Sequence, residues 1–493
     1  MFEASVPPHR STTGWHRLLT EPARPRRIAE RPGAHWYAVA AVCIGAFMGQ
    51  LDASIVTLAF PTMERDLHAT VGAVQWVGLA YLLTLVATLT AVGRYADMAG
   101  RKLLYTYGFV VFIVGSALCG FAPDLPMLIG FRVLQAVGAA MLQANSVAII
   151  TAAVPADQLG RGIGIQGAAQ ALGLALGPAI GGVLISLGGW QLIFLVNVPV
   201  GIVATGLAWV LIPRSRHLSE RATFDWLGLG LFAPVGVALM LALSLGGQFG
   251  WASPFELAMI VAVVVFTLAF LRREKRAAAP MVDLALLRIR AFWLGLVSGW
   301  LIYLVIFGVL FVVPYLLELG LHRSAAQAGV ELLAMPLAIG ISAPLAGRLA
   351  DRTGARPLLL AGMALSTAGL VAMAFAHDSL PVLVVELLAT GAGLGLSTAP
   401  NNAATMGAIP RTSSGVGSGL LNMARGLGTA LGLALTGLVF TAFAGAHPHH
   451  AGPVLVGFHW AALLLAAASA AVVVLTLLRE NGRLSDDPTA GVE

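Results

Sequence analysis

The chain has 493 residues, 58% of them hydrophobic and only 11% charged, where a soluble domain carries about 25% charged residues. That balance excludes a soluble globular enzyme and predicts a multi-span membrane protein. The formal charge of +6 is no nucleic-acid signal, because the basic residues lie almost entirely in short loops between apolar runs, where they orient helices.

The first 35 residues are rich in proline and arginine and lack an apolar signal-peptide core. Residues 1–35 therefore predict a disordered cytoplasmic tail. Fourteen apolar runs follow, near 36–60, 73–93, 103–121, 126–150, 162–186, 190–212, 226–246, 254–271, 291–317, 327–347, 357–376, 380–404, 414–444 and 454–478. Each is long enough to cross a bilayer as a helix. Residues 479–493 predict a second cytoplasmic tail. With the amino terminus inside, 25 of the 29 basic residues fall in inside segments and two, Arg65 and Arg323, in outside loops. This bias fits an even number of spans with both ends in the cytoplasm.

The first span carries Asp52 within Met48-Gly-Gln-Leu-Asp-Ala-Ser-Ile-Val-Thr-Leu-Ala-Phe-Pro61. A charged side chain at that depth costs roughly 2.5–3.5 kcal/mol on insertion scales, so it needs a wet cavity or a partner. Two uses stay open. Low dielectric favours a neutral carboxyl, which suits a proton carrier, and the same carboxyl can be permanently paired to another helix. The last two basic residues, Arg132 and Arg425, also lie inside spans. At 1.5 Å per residue Asp52 and Arg132 sit about 12 and 9 Å from the outer ends of spans one and four, so they share a layer.

Gly93-Arg-Tyr-Ala-Asp-Met-Ala-Gly100 follows span two and matches Gly347-Arg-Leu-Ala-Asp-Arg-Thr-Gly354 at five of eight positions. The copies are eight spans apart, whereas parallel repeats of six spans would separate them by six. The chain therefore divides into a six-helix bundle at 36–212, a two-helix insert at 226–271 and a six-helix bundle at 291–478. Asp97 and Arg101 stand at the inner end of the first copy, and Thr412-Ser-Ser414 offers a helix start that would attract the Asp97 carboxylate. In span five, Gly173, Gly177, Pro178, Gly181 and Gly182 clear one face for close helix contact and a bend.

The amides Gln50, Gln135, Gln143, Asn145, Gln166, Gln170 and Asn422 fall inside spans, where some must line a central cavity. Glu331 and Glu386 lie about two turns from the outer face, as partners of a cationic substrate, as a second proton site, or at wet helix ends. Cys43 and Cys119 sit in apolar runs and predict neither disulfide nor metal site, and His447, His449 and His450 predict a solvated loop. Gly162-Ile-Gly-Ile-Gln-Gly167 has the letters of a dinucleotide fingerprint without a βαβ unit, and no GxxxxGK[ST] occurs. No cofactor is expected, and one span histidine, His459, gives no catalytic set.

Several of these segments resemble the major facilitator superfamily, and within it the fourteen-span drug:proton antiporters. Leu51 to Pro61 is similar to the family's first-span motif, with Ser54, Thr57 and Phe60 departing from it. Gln75-Trp76 with Tyr81 looks like its second span, and Gly93 to Lys102 like its two-to-three loop, with Tyr95 and Met98 substituted. Arg132 to Ala140 resembles the span-four motif, with Ala136 in place of glycine. Gly173 to Gly182 resembles the span-five antiporter motif, and Asn422-Met-Ala-Arg425 a span-thirteen pattern with Gly426 for glutamine.

The resemblance implies an all-α major facilitator fold with 14 transmembrane helices, and a proton-coupled antiporter that exports amphiphilic or cationic compounds. Asp52 and Arg132 would couple protons. Gly93, Asp97, Gly100, Arg101, Gly177, Pro178 and Gly181 would gate. Gln50, Gln135, Asn145, Gln170, Glu331, Glu386, Asn422 and Arg425 would face substrate. Expected partners are a small molecule, protons and lipid, with no nucleic acid, for a monomer in the inner or plasma membrane. The alternative on the same fold is a dedicated exporter of one metabolite.

Overall fold

The structure, a computed structural model, describes residues 21, 23–155, 158–215, 225–249, 253–277, 286–375, 379–410, 414–448 and 450–478. Among these residues the chain is helical throughout, as lipid demands, since a helix satisfies its backbone groups within one segment. The first bundle comprises α1 (Ala34–Asp66), α2 (Val71–Ala99), α3 (Arg101–Gly120), α4 (Leu125–Ala153), α5 (Leu159–Gly188) and α6 (Asn197–Leu211). The insert is α7 (Trp226–Phe249) and α8 (Pro254–Glu274). The second bundle comprises α9 (Arg290–Tyr315), α10 (Ala334–Thr353), α11 (Ala355–Phe375), α12 (Leu380–Met406), α13 (Ser414–Ala444) and α14 (Ala451–Leu478). A short helix, Ala325–Leu332, precedes α10.

Thirteen of the described helices are long and apolar enough to cross a membrane. The predicted seventh span is α7, whose described apolar stretch is shorter, Gly230–Leu243. Its 24 residues still reach about 36 Å.

Local sequence sets the helix ends. Thr70 and Asp124 accept the Ala73 and Met127 N–H groups at the starts of α2 and α4. Ser324 and Gln327 form a reciprocal capping box on the short helix. Of the amino-terminal segment predicted to be disordered, the described residues 21 and 23–35 hold defined contacts. The Glu21 carboxylate accepts from Ser215 N at 2.6 Å, Ser215 Oγ at 2.9 Å and Leu103 N at 3.2 Å. It thereby caps α3, whose N-terminus favours an anion. Residues 1–20 and 479–493 lie outside the described residues.

The packing repeats with an offset of eight helices. In the first bundle α1 packs on α5, α2 and α3 on α4, and α3 on α6; in the second α9 packs on α13, α10 and α11 on α12, and α11 on α14. The insert packs through α7 onto α2 and α13, one helix from each bundle. Asp225 ties its two ends together, lying 3.0 Å from the Arg273 guanidinium and accepting the Gly228 N–H. Burial raises the Asp225 carboxyl, but the Arg273 hydrogen bonds and charge and the Gly228 and Leu227 N–H groups outweigh it and hold it below its usual range.

The bundles meet most tightly on the face opposite the basic loops. There Phe60 of α1 packs against Phe311 of α9 with ring centroids 5.7 Å apart. Gln75 of α2 donates to the Leu433 carbonyl at 3.3 Å, and Val71 N to the Ala446 carbonyl. Arg65 pairs with Glu318 at 3.6 Å. α5 crosses the short helix so closely that a Cβ on Gly182 would strike the Ala325 carbonyl, and one on Gly329 the Pro178 carbonyl.

The predicted span-five glycine face is thus split in two. Gly173, Gly177 and Gly181 oppose Phe47, Ser54 and Ile55 of α1 within their own bundle, whereas Pro178 and Gly182 meet the other bundle. Replacing Gly329 by Val should force this face apart. Spin labels at Leu187→Cys and Phe375→Cys, with Cys43 and Cys119 replaced by Ala, should report a longer distance in the variant by double electron–electron resonance. An unchanged distance distribution would show that the glycine crossing does not hold this face shut.

Candidate functional site

A cavity of about 880 Å³ lies between the bundles. Its wall comes from the halves of α1, α2, α4 and α5 nearest the basic loops, from Tyr303 and Phe307 of α9, and from Gly419 to Thr429 of α13. It reaches Gly93, Arg101 and Asp225 at the basic face and stops below the closed contacts. The protein is therefore open on one side and shut on the other.

Five of the predicted cavity residues line it: Gln50, Asn145, Gln170, Asn422 and Arg425, joined by Gln143 and Gln166. Asn145 is tied back to the Met141 carbonyl at 2.8 Å and Gln166 donates to Ser146 Oγ at 2.8 Å. Three predicted residues do not line it. Gln135 is fully buried inside the first bundle. Glu331 pairs with Arg323 at 3.6 Å at the base of the closed face. Glu386 is buried on α12, with Oε2 lacking a hydrogen-bond partner among the described residues. A helix repeats every 3.6 residues, so depth alone leaves the facing direction open.

Asp52 and Arg132 do meet. Arg132 Nη1 lies 2.7 Å from Asp52 Oδ2, and Arg132 Nε donates to the Val77 carbonyl at 2.9 Å. Gln135 Nε2 donates to Asp52 Oδ1 at 2.8 Å, and Gln135 Oε1 accepts from Arg132 Nη1 at 2.6 Å. Asn197 of α6 donates to Asp52 Oδ1 at 3.3 Å and to Ser116 Oγ at 3.1 Å. Ser116 in turn donates to the Phe194 carbonyl at 2.9 Å.

α1, α2, α3, α4 and α6 are thus joined through one charged cluster, which supplies the hydrogen bonds a buried ion pair requires. Asp52 is 0% exposed and Arg132 1%, so the pair is shut from the cavity. Tyr81 forms the partition. It lines the cavity, and its ring centroid lies 4.1 Å from Arg132 Cζ, a cation–π contact. Asn197 and Ser116 are not among the predicted site residues, although Asn197 carries the same signal as the glutamines, an amide inside an apolar span.

The predicted latch is only partly described. Gly93 lines the cavity mouth, Gly100 has φ 108 and sits against the Glu21 carboxylate, and Arg101 N donates to Ser215 Oγ at 3.1 Å. The Asp97 side chain and residues 411–413 lie outside the described residues. On the opposite face two more carboxylates are buried where the bundles meet, Glu64 of α1 and Glu318 just after α9, each with one oxygen lacking a hydrogen-bond partner among the described residues.

Two helical bundles related by an internal repeat, enclosing a cavity open to one side, are the architecture of a membrane transporter. The Major Facilitator Superfamily model matches residues 42–229 and 295–492, and the chain belongs to that family. The unmatched interval contains most of the α7–α8 insert. The chain is 36% identical over 401 residues to the riboflavin transporter RibZ of Clostridioides difficile, covering 81% of this chain and 87% of the relative. It is 33% identical over 411 residues to the multidrug resistance protein Stp of Mycobacterium tuberculosis, covering 82% of this chain and 76% of the relative. Among solved structures, an inward-facing, occupied bacterial homologue of the human lysosomal transporter Spinster aligns with a TM-score of 0.67 at 15% identity, over 91% of this chain and 97% of that one.

Breaking a buried ion pair from one side strands a charge and costs about 3–5 kcal/mol, whereas removing both charges costs far less. Arg132→Met should therefore lower the thermal unfolding midpoint in detergent sharply, and Arg132→Met with Asp52→Asn should recover most of the loss. Equal midpoints for wild type and Arg132→Met would refute the structural weight placed on the pair.

Proposed function

We propose that the protein is an exporter of amphiphilic compounds, driven by protons moving in the opposite direction across the cytoplasmic membrane. The observation that carries this is the cavity. Its amides and tyrosines alternate with Leu82, Leu85, Val86, Leu89 and Phe307, a lining suited to molecules with an apolar body and a few polar groups. Its volume of about 880 Å³ lies at the upper end of small-molecule sites, roughly 300–1,000 Å³. The relative named a multidrug resistance protein supports broad export, and the one named a riboflavin transporter supports the second possibility, a carrier of one metabolite.

The proton enters this reading through Asp52. Protonation removes the charge that balances Arg132, and the freed guanidinium then draws on Tyr81, which faces substrate. A substrate displacing Tyr81 would act on the same pair from the other side. In the state described here the carboxyl is enclosed, so exchange belongs to a state in which Tyr81 has moved. Two conformations that differ in their affinity for a proton are all that coupling requires. Both chain ends would lie in the cytoplasm, as the loop charges favour.

Reconstituted in proteoliposomes, the wild type should move several amphiphilic dyes faster when protons run down their gradient in the direction opposite to the dyes. Asp52→Asn should lose that acceleration while still equilibrating the dyes. Transport indifferent to the gradient in the wild type would remove proton coupling from the proposal. Transport of riboflavin alone from the panel would favour the single-metabolite carrier.

A further inference from the structure

The charges around the cavity are few and unequal. Among the described residues its lining contains three ionic side chains, Arg101, Asp225 and Arg425. Arg101 and Asp225 belong to the mouth, and the Asp225 charge is offset by Arg273 at 3.0 Å. Asp52 is held by Arg132 behind Tyr81, Glu331 by Arg323, and Glu386 lies outside the lining. Among the described residues, the inner wall therefore offers a cationic substrate no carboxylate.

Arg425 is the charge that the inner wall does present. It lies on α13, with its Cζ 5.5 Å from the Tyr303 ring centroid, and Nη1 donates a long hydrogen bond of 3.3 Å to Asn422 Oδ1. Its Nε has no acceptor among the described residues, and none of the described carboxylates forms an ion pair with it. A guanidinium keeps its charge at any physiological pH and presents its N–H groups as a planar fork matched to a two-oxygen anion. Such a group in a partly apolar cavity is poorly compensated until a ligand supplies the acceptor. Gln50, Gln143 and Gln170 line the first-bundle side of the same cavity and can take further polar groups of the ligand, while Tyr303 and Phe307 offer ring faces.

We propose that Arg425 anchors a carboxylate-like oxyanion of the substrate, so that the preferred cargo is an anionic aromatic amphiphile rather than a cationic one. This rests on the exporter reading and narrows it: the head group meets α13 of the second bundle, and the body spans toward the amides of the first. A ligand held this way bridges the two bundles, which is how a substrate biases their relative tilt.

The test is equilibrium binding to the full-length chain in nanodiscs, by fluorescence titration with anthracene-9-carboxylate, its methyl ester and anthracen-9-ylmethylammonium. The carboxylate should bind at least tenfold more tightly than the ammonium. Arg425→Gln should weaken the carboxylate at least tenfold and the ester less than twofold. Arg425→Lys, which keeps the charge and loses the fork, should fall between and serves where Arg425→Gln does not fold. No carboxylate binding below millimolar concentration, equal binding of carboxylate and ammonium, or an unchanged ratio in both variants would overturn the site. Because binding needs no turnover, lost selectivity with dye transport intact sinks the Arg425 anchor alone. Selectivity without transport sinks the exporter reading alone.

Discussion

An ion cannot rest in hydrocarbon without a partner, and this constraint arranges the interior of the protein. Asp52 and Arg132 answer it by pairing at 2.7 Å and recruiting Gln135, Asn197 and Ser116 to satisfy the remaining donors and acceptors. The cluster draws on five of the six helices of the first bundle and ties them to one another. Arg425 meets the same constraint differently, through the edge of the cavity, one weak amide contact and an aromatic ring. Asp52 and Arg132 neutralise each other within the first bundle, whereas Arg425 on the second forms no ion pair with any of the described carboxylates.

That asymmetry sits inside a symmetric frame. The eight-helix offset of the packing pairs makes each bundle a variation on the other. Small residues permit close contact between the halves at Gly182 and Gly329, and Phe60 and Phe311 cover the joint with apolar area. The insert straddles it through α7, touching α2 and α13. Carboxylates buried at the joint, Glu64 and Glu318, are retained at a desolvation cost, and Glu318 forms a salt bridge with Arg65 at 3.6 Å.

Much of the site was legible because membrane burial makes polar residues conspicuous. Asp52, Arg132, Arg425, Gln50, Asn145, Gln170 and Asn422 stand out in apolar runs. The same conspicuousness also singled out Gln135, which faces Asp52 and not the cavity, and Glu331 and Glu386, which lie outside the cavity lining. Ser116 was illegible, since a lone serine in a span usually bonds its own backbone. Tyr81 was visible only as part of a family motif, and its place between cavity and ion pair depends on α2, α4 and α1 meeting at one level.

Hydropathy, loop charge and an internal repeat sufficed to indicate an all-helical, multi-span membrane fold, with thirteen described helices long and apolar enough to cross a membrane where fourteen spans were expected. This follows from local rules, because a bilayer fixes span length and each helix satisfies its own backbone. The direction each residue faces, the enclosure of Asp52, the division of the span-five glycines between two contacts and the opening of the cavity toward the basic loops were decided by tertiary packing. They depend on helix rotation and bundle tilt, which are set by side chains distant in sequence fitting against one another.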